Sequence, residues 1–392
     1  MRDDGQERMA LIWLLAGEAS GDAIGARLMA ALRRLDPDLH FAGVGGPLMQ
    51  AAGLSSLFPI EDLSVMGLVE VLPRLRLIRQ HLREAAADIA RLRPAAVVTI
   101  DSPGFSLRLL RMIRPLGAPR AHYVAPQVWA WRERRVRRFP GLWERLLCLL
   151  PFEPDFFARH GIAATFVGHP VLESGAGHGI AERFRIRHGI AAETPILLVL
   201  PGSRPGEVAR HAPVFGAALG LLLARHPGMR PVVPAAPAVR KALAPLLAGW
   251  PAPPIILETT EEKPDAFAAA SAALCKSGTS ALELALGGVP MVIAYRLNPI
   301  TGLIARRVVT VRHASLVNLL AGREIVPELL QEFCTPERLA GALAPLFTDP
   351  EARAAQHAAF APVLATLAPA SGTPSEAAAR AVFDLVSSRS ER

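Results

Sequence analysis

Short runs of apolar residues alternate with amphipathic stretches along the chain. Leu11–Leu15 and Ala95–Ile100 are two such runs, and Leu75–Leu92 carries apolar residues at helical spacing between others. Unalternated apolar strands separated by helices are typical of a parallel sheet covered on both faces. Further strands are predicted at Phe41–Val44, Ala121–Val124, Leu146–Leu150 and Ala164–Val167.

The alternation pauses and then restarts in the second half. Small residues dominate Glu173–Gly179, and Ile196–Leu200 follows as a new first strand. Later strands are predicted at Pro231–Val233, Ile255–Leu257, Ala272–Cys275 and Met291–Ala294. We therefore predict two Rossmann-like α/β domains facing a cleft, 1–170 and 171–392, with the last helices able to pack back on the first domain. Ligands bind at the carboxyl ends of such strands.

Composition agrees with a folded protein of a reducing compartment. The chain has 392 residues, 51% hydrophobic and 20% charged, and only three cysteines, too few for a disulfide scaffold. Its longest apolar stretches, near Val214–Ala224, are shorter than the roughly 20 residues of a membrane span. Met9–Ala16 has the hydrophobicity of a signal peptide, but the residues before it include Asp3, Asp4 and Glu7, so a buried strand is the better interpretation. A cytoplasmic location is expected.

Positive charge is concentrated in one window. The formal charge is +8, yet between Arg74 and Arg138 fifteen arginines face four acidic residues, a surplus of eleven. Such a field attracts phosphates, anionic lipid or nucleic acid. Arg134, Arg137 and Arg138 would share one face of a helix. The apolar segment Leu63–Leu72 is either a membrane-contacting element or an ordinary buried one.

Three polar features follow predicted strands of the first half. In GEASGD (Gly17–Asp22), Glu18 has no evident structural duty in a tight turn, whereas Asp22 is either functional or a helix N-cap. Asp101 ends a strand and is a candidate general base, with an N-cap as the alternative. PQVWAW (Pro126–Trp131) contains two tryptophans and is followed by a run of arginines. Together they form an amphipathic surface patch, or the arginines are simply a solvated helix face.

Two turns of the second half suit a phosphate. In LPGSR, Gly202 and Ser203 permit close backbone approach and Arg204 supplies a forked donor. Ser277, Gly278 and Thr279 then lie between a strand and a helix, where backbone N–H groups can meet a diphosphate. Glu283 lies one turn into that helix. It is either within reach of a ribose diol or an ordinary first-turn glutamate.

Other chemistries lack their motifs. Neither a G-x-G-x-x-G fingerprint, a P-loop nor a G-x-S-x-G elbow is present. Asp36-Pro37-Asp38 has the D-x-D form of metal-dependent sugar transferases, but its position between a helix and a strand favours a turn. We expect no metal site and no cofactor.

Taken in order, seven segments closely resemble the lipid-A-disaccharide synthase family, glycosyltransferases of the GT-B architecture. They are GEASGD, IDSPGF (Ile100–Phe105), PQVWAW, Gly168–Pro170 (GHP), LPGSR, SGTSALE (Ser277–Glu283) and Ser315–Leu330. The resemblance implies an inverting, metal-independent transfer. UDP-2,3-diacylglucosamine is the implied donor and 2,3-diacylglucosamine 1-phosphate (lipid X) the implied acceptor. The implied products are the β-1,6-linked lipid A disaccharide 1-phosphate and UDP.

The resemblance also assigns residues by motif. It places UDP on Ser277, Gly278, Thr279 and Glu283, beside the Gly202–Ser203 turn. The resemblance implies that Arg204 and Asn318 face the donor phosphates or the transferred sugar. The acceptor is expected to face Glu18, Ser20, Asp22, Asp101, Gln127 and Trp129, with Asp101 or Glu18 as the base. The implied enzyme is peripheral on the cytoplasmic face of the inner membrane, held through basic and apolar patches.

Three alternatives stay open at this point. A GT-B transferase acting on a polyprenyl-linked sugar and a UDP-sugar epimerase share the architecture, but PQVWAW and IDSPGF count against both. A non-catalytic nucleic-acid-binding protein would use the arginine window, yet it leaves Glu18, Asp101 and Glu283 unexplained. We expect no nucleic-acid partner.

Overall fold

The computed structural model describes residues 11–63, 68–131, 133–235, 239–257, 259–298 and 311–390. The chain forms two compact units. The first comprises the described residues through Pro170 together with those from Leu367 onward, and the second is Val171–Thr366. The chain therefore leaves the first unit and later returns to it.

The first unit is built on a seven-stranded parallel sheet of order β3-β2-β1-β4-β5-β6-β7. Its strands are β1 Leu11–Ala16, β2 His40–Val44, β3 Ser55–Ser56, β4 Ala96–Ile100, β5 Arg120–Tyr123, β6 Arg145–Cys148 and β7 Ala164–Phe166. Leu11–Ala16, part of the apolar stretch with the hydrophobicity of a signal peptide, forms β1, and its residues 12–16 are fully buried between β2 and β4. Unbroken apolar sequence is what such a central strand requires, since both faces are covered.

Helices cover both faces of this sheet. They are α1 Ala19–Leu35, α2 Pro47–Ala51, α3 Leu68–Leu92, α4 Pro103–Ile113 and α5 Glu153–Ala158. Leu82, Ala85 and Ile89 of α3 are buried in one core cluster, as their spacing predicts. Residues 64–67 of the apolar segment Leu63–Leu72 lie outside the described residues, and the side chains through 74 are likewise not described.

The second unit repeats the plan with six parallel strands of order β10-β9-β8-β11-β12-β13. They are β8 Ile196–Leu200, β9 Arg230–Val233, β10 Ile255–Ile256, β11 Ala272–Lys276, β12 Met291–Tyr295 and β13 Glu328–Leu330. The described helices of this unit are α6 Ala181–Arg187, α7 Pro205–Leu223, α8 Arg240–Leu247, α9 Lys263–Ala269, α10 Ser280–Leu286, α11 Leu316–Ala321, α12 Pro336–Thr348 and α13 Pro350–Ala365. Its core joins α7, α8 and α12 to the sheet.

The last helix, α14 (Pro374–Ser390), belongs to the first unit and packs on α1. Ala378, Ala379 and Val382 are buried in the same cluster as Leu28 and Leu32 of α1. The GHP motif lies where the chain leaves this unit: Gly168 has φ +83°, and a Cβ there would lie 2.7 Å from Pro369 Cδ. The His169 amide donates to the Leu367 carbonyl at 2.9 Å, so the outgoing and returning segments are joined.

The arginine run departs from its predicted form. Glu133–Arg138 is a 3-10 helix, not an α-helix. With three residues per turn, Arg134 lies above Arg137 and Arg135 above Arg138, so the predicted face of Arg134, Arg137 and Arg138 is wrong. Val136 is buried and anchors the turn, while the four described arginines within it are exposed.

Among the helices that the structure describes, none has both the length and the apolar sequence needed to cross a bilayer.

Candidate active site

Glu18 and Asp101 follow β1 and β4, the two strands between which the strand order of the first sheet reverses. From β1 the chain proceeds to β2 on one side, whereas β4 lies on the other, with Ala16 paired to Ile100. In open α/β sheets this switch point, at the carboxyl ends of the strands, is where ligands bind. Glu18 is the N-cap of α1, with extended backbone and no side-chain capping bond. The two candidate carboxylates thus leave adjacent strands at the same sheet edge.

The backbone at this edge is strained. Asp101 and Ser102 have φ values of +52° and +46°, and Val124, after the neighbouring strand β5, has φ +74°. Left-handed backbone is uncommon outside glycine and unfavourable for a β-branched residue such as valine. Strain of this kind clusters at functional sites, where it fixes side-chain direction.

Several contacts hold Asp101 in that conformation. Its N–H donates to the Tyr123 carbonyl at 2.9 Å, and its carbonyl accepts from Ser106 Oγ at 2.7 Å. The N-cap of α4 is Ser102, so the alternative interpretation of Asp101 as that N-cap is excluded. A Cβ on Gly17 would lie 2.2 Å from Ser102 Oγ. The first turn therefore needs glycine to approach the second so closely.

Asp22 has a different place from the one predicted. It is 3% exposed, and its carboxylate accepts from the amides of Gly46, Leu48 and Met49 at 2.9 Å each. Instead of capping its own helix, it caps α2 and fixes the loop after β2. Both oxygens thus hold the loop after β2, and the predicted contact of Asp22 with the acceptor stays a prediction. Ser20, at the start of α1, is exposed.

The PQVWAW segment follows β5 and is anchored by Trp129. The indole Nε1 donates to Glu153 Oε1 at 2.9 Å, while the amides of Leu149 and Leu150 donate to Oε2 at 3.0 Å. Glu153 is buried, and burial raises its pKa to about 7 despite these donors. Gln127 is exposed on the same segment. Glu153 could not be predicted from the sequence, because no local pattern marks a glutamate after Pro151-Phe152 as the partner of a tryptophan 24 residues earlier.

The second unit has its own switch point, between β8 and β11, where Leu200 pairs with Cys275. LPGSR follows β8 and Ser277–Thr279 follows β11. Gly202 has φ +136°, and a Cβ there would lie 2.6 Å from Glu207 Cβ, so glycine is required. The Ser203 amide donates to Glu207 Oε2 at 3.2 Å. That amide is thus engaged within the protein rather than directed at a phosphate.

Glu207, which no sequence motif marks as a site residue, links the two turns. It is 5% exposed, and Lys276 Nζ lies 2.9 Å from its Oε1, with Arg204 Nη1 at 3.9 Å from the same atom. Burial alone would raise the pKa of Glu207, but Lys276, the Ser203 amide and Arg204 together hold it below its usual value. The carboxylate is therefore ionised at neutral pH and fixes two cations at the sheet edge.

Ser277 and Glu283 are also held within the unit. The Ser277 amide donates to the Ala294 carbonyl at 3.1 Å, and its Oγ donates to the Ala314 carbonyl at 2.7 Å. Thr279 is the N-cap of α10, and the first-turn amides of any helix have no intrahelical acceptor. Glu283 Oε2 accepts from Lys263 Nζ at 2.7 Å. Gly278 and Thr279 thus present backbone, while Glu283 is a carboxylate steadied by a lysine.

Asn318 does not have the predicted role of facing the donor phosphates or the transferred sugar. Its side chain is fully buried and makes four hydrogen bonds: Nδ2 to the Val326 carbonyl and Glu328 Oε1, and Oδ1 from the amides of Ile325 and Val326, at 2.8–3.0 Å. An amide side chain with all these bonds has none left for a donor sugar or phosphate. Glu328 also accepts from Ser315 and the Ala314 amide, so the Ser315–Leu330 motif is a folded network that ties α11 to β13.

His211 supports the same edge from beneath. It is fully buried, and burial lowers its pKa to about 4. The Arg296 amide donates to its Nε2 at 2.9 Å, so the neutral ring carries its proton on Nδ1 and donates it to the Pro201 carbonyl at 3.0 Å. The ring thus joins the end of β12 to the LPGSR turn.

The D-x-D sequence forms a turn. Asp36 is the C-cap of α1, and its Oδ1 accepts from the Asp38 amide at 3.0 Å. Within the described ranges, no group of three or more histidine, cysteine or acidic side chains is arranged to hold a metal ion.

Known structures with this fold include sugar-nucleotide enzymes. Calicheamicin glycosyltransferase CalG4 is 16% identical with a TM-score of 0.60, covering 97% of this chain and 99% of that one. Acinetobacter baumannii MurG is 17% identical with a TM-score of 0.54 over 97% and 99%. A UDP-GlcNAc 2-epimerase from Neisseria meningitidis bound to UDP-GlcNAc is 12% identical with a TM-score of 0.59 over 97% and 99%. The fold, two Rossmann-like parallel-sheet units, is that of the GT-B class.

Sequence relatives narrow the class to one family. A family model described as lipid-A-disaccharide synthetase matches residues 12–382. The lipid-A-disaccharide synthase of Gluconobacter oxydans is 57% identical over 97% of this chain and 93% of its own, and that of Granulibacter bethesdensis is 52% identical over 96% and 98%. The chain belongs to the lipid-A-disaccharide synthase family. It is a glycosyltransferase of lipid A disaccharide synthesis, as the seven motifs predict.

Proposed function

We propose that the enzyme transfers 2,3-diacylglucosamine from UDP to the 6-hydroxyl of 2,3-diacylglucosamine 1-phosphate, with inversion at the anomeric carbon. The family supports lipid-sugar substrates. The observation that carries the proposal is the chemistry of the two switch points: acidic side chains after β1 and β4, and paired cations with turn amides after β8 and β11. A hydroxyl acceptor needs the first, and a diphosphate leaving group needs the second.

In the proposed reaction Asp101 is the general base. The acceptor hydroxyl oxygen attacks the anomeric carbon, its proton passes to the Asp101 carboxylate, and the bond to the UDP oxygen breaks. General-base catalysis requires a carboxylate in a fixed direction, and the strained backbone of Asp101 provides such a position. Glu18, on the adjacent strand end, is the competing base or an acceptor-orienting residue. Gln127 and the Trp129 loop face the acceptor in this proposal, with Ser20 at the rim.

The donor is assigned to the second unit. The diphosphate lies on the amides of Gly278 and Thr279 with Arg204 beside it, and Glu283 accepts from the ribose hydroxyls while Lys263 steadies it. Preorganised donors stabilise charge that develops on the leaving group. A neighbour of the same fold was solved with UDP-GlcNAc, which supports a UDP-sugar donor.

We propose further that the first unit associates peripherally with an anionic membrane surface on the cytoplasmic side. Met112, Leu116 and Trp131 are 43%, 45% and 44% exposed, and the arginines of the 3-10 helix Glu133–Arg138 are exposed in the same unit. Arg135 lies over the Trp131 ring at 5.9 Å. Apolar side chains beside basic ones suit a lipid surface.

Two experiments test these proposals. Release of UDP from UDP-2,3-diacylglucosamine is expected to require 2,3-diacylglucosamine 1-phosphate, with the disaccharide as the co-product; release at the same rate without the acceptor would contradict the transfer.

In vesicle sedimentation, changing Arg134, Arg137 and Arg138 to Gln should weaken binding to anionic vesicles, most clearly at low salt. Equal binding of the unmodified protein to neutral and anionic vesicles would contradict the membrane proposal.

A further inference from the structure

We infer that Lys276 is a diphosphate-binding residue, presented over Gly278 by an ion pair with buried Glu207 and by the ring of Tyr295. The inference rests on the proposed function, because it assigns a further group to the UDP site. The family motif SGTSALE begins one residue later, so Lys276 lies outside the segment that the resemblance transfers.

The position of the ammonium is well defined. Lys276 is the last residue of β11, its side chain is 18% exposed, and its Nζ lies 2.9 Å from Glu207 Oε1. The same atom lies 5.5 Å from the centre of the Tyr295 ring on the adjacent strand β12. A Cβ at Gly278 would lie 3.4 Å from Nζ. The ammonium therefore lies against Gly278, one of the two residues whose amides we assign to the diphosphate.

Glu207 makes this lysine a fixed group rather than a mobile surface cation. Its Oε2 accepts from the Ser203 amide and its Oε1 faces both Lys276 and Arg204, so one buried carboxylate joins the LPGSR turn to the turn after β11. An ammonium has three N–H donors and Glu207 takes one of them. The remaining donors can meet phosphate oxygens without breaking the pair, and binding then costs little rearrangement.

Charge and composition support the same role. Lys276 and Arg204 against Glu207 leave this cluster with one net positive charge to meet a diphosphate. Of 43 basic residues only three are lysines, and two of them, Lys276 and Lys263, are paired to glutamates around this turn. An ammonium is a compact point charge, whereas a guanidinium is a broad planar fork. The half-buried position between Glu207, Tyr295 and Gly278 suits the smaller group.

The test compares UDP with uridine, which lacks the diphosphate. We expect Lys276→Met to weaken UDP binding by about 10- to 100-fold in calorimetry, the loss of hydrogen bonds to a charged group, while uridine affinity is unchanged. Lys241→Met, at an exposed position of α8, is the matched control and should leave both affinities unchanged. Rising salt should weaken UDP binding more steeply for the unmodified protein than for Lys276→Met.

Lys276→Gln guards against a folding artefact, because glutamine can still donate to Glu207. The same UDP-selective loss is expected of it. Unchanged UDP affinity in both variants, or equal losses of UDP and uridine in both, would overturn the inference while leaving UDP binding by the unmodified enzyme intact. Absence of UDP binding by the unmodified protein would instead contradict the proposed function itself.

Discussion

The two units share one topology and use its switch point for opposite chemistry. After β1 and β4 the sheet edge carries two acidic side chains: Glu18 on extended backbone, and Asp101, which together with Ser102 has left-handed backbone. After β8 and β11 the edge carries Arg204 and Lys276. Its carboxylates Glu207 and Glu283 are each paired with a lysine, the first with Lys276 and the second with Lys263 of α9. The first edge holds Asp101 on strained backbone. The other has its acidic groups compensated by cations.

The difference follows from what each proposed ligand demands. A general base must accept a proton, so its direction matters more than its charge partners. A diphosphate site must be positive overall, so any carboxylate that helps to build it needs a cation of its own. Ion pairs with lysine let Glu207 and Glu283 serve as structural and hydrogen-bonding groups without repelling an anion.

The largest effect is expected from Asp101→Asn. Asparagine tolerates left-handed backbone, so the variant removes the base while leaving the strained turn intact. Loss of a general base should lower turnover by about 10²–10⁴ with little change in UDP affinity. Steady-state assays beside UDP titrations measure both quantities.

Glu18→Gln is the matched comparison at the adjacent strand end. If Asp101→Asn keeps more than about a tenth of the turnover and Glu18→Gln does not, the base is Glu18, because a tenfold loss is too small for that role. Equal and modest losses in both variants would remove the assignment of a base to this edge.

The next prediction concerns the first unit and the pH dependence of its free energy of unfolding. Burial raises the pKa of Glu153 to about 7, so its ionisation in the folded state costs stability as the pH rises from about 4.5 to about 7. Glu153→Gln lacks this cost. Its free energy of unfolding relative to the unmodified protein should therefore increase by about 3 kcal/mol over that interval and then level off.

Denaturant unfolding at pH 5 and pH 8 measures the Glu153 effect. The exposed Glu61→Gln, in the same unit, is the control for the loss of one negative charge. Buried His122 and His169, whose pKa values burial lowers to about 4, act in the opposite direction in both proteins and cancel in the comparison. A difference between Glu153→Gln and the unmodified protein that is independent of pH would show that Glu153 is ionised throughout.

The smallest predicted effect is at the second edge. Glu283→Gln should weaken UDP binding by about 1.5–3 kcal/mol, because the ribose hydroxyls lose a charged acceptor. Calorimetric titration with UDP measures it, and Glu182→Gln, exposed on α6, is the control in the same unit. An unchanged dissociation constant would remove Glu283 from the site.

Most of the fold could be read from the sequence. Every strand predicted from an apolar run exists, because buried parallel strands need unbroken apolar residues. The two short strands β3 and β13 were not predicted: Ser55–Ser56 and Glu328–Leu330 are edge strands with polar residues, and no apolar run marks them. The helix α3 spans Leu68–Leu92 and therefore begins before the predicted amphipathic stretch Leu75–Leu92.

The amino-acid sequence by itself determined the strand–helix alternation, the turns after β1, β4, β8 and β11, and the family. These depend on residues that are close along the chain. Tertiary structure alone decided what each polar side chain does within a turn. The Asp22 carboxylate accepts hydrogen bonds from a loop 24 to 27 residues away. The Asn318 side chain is hydrogen-bonded to the backbone of Val326, which the chain places beside α11. Glu207 acquired Lys276 only through the pairing of β8 with β11, which brings distant parts of the chain together, and a hydrogen bond or ion pair depends on distance in space.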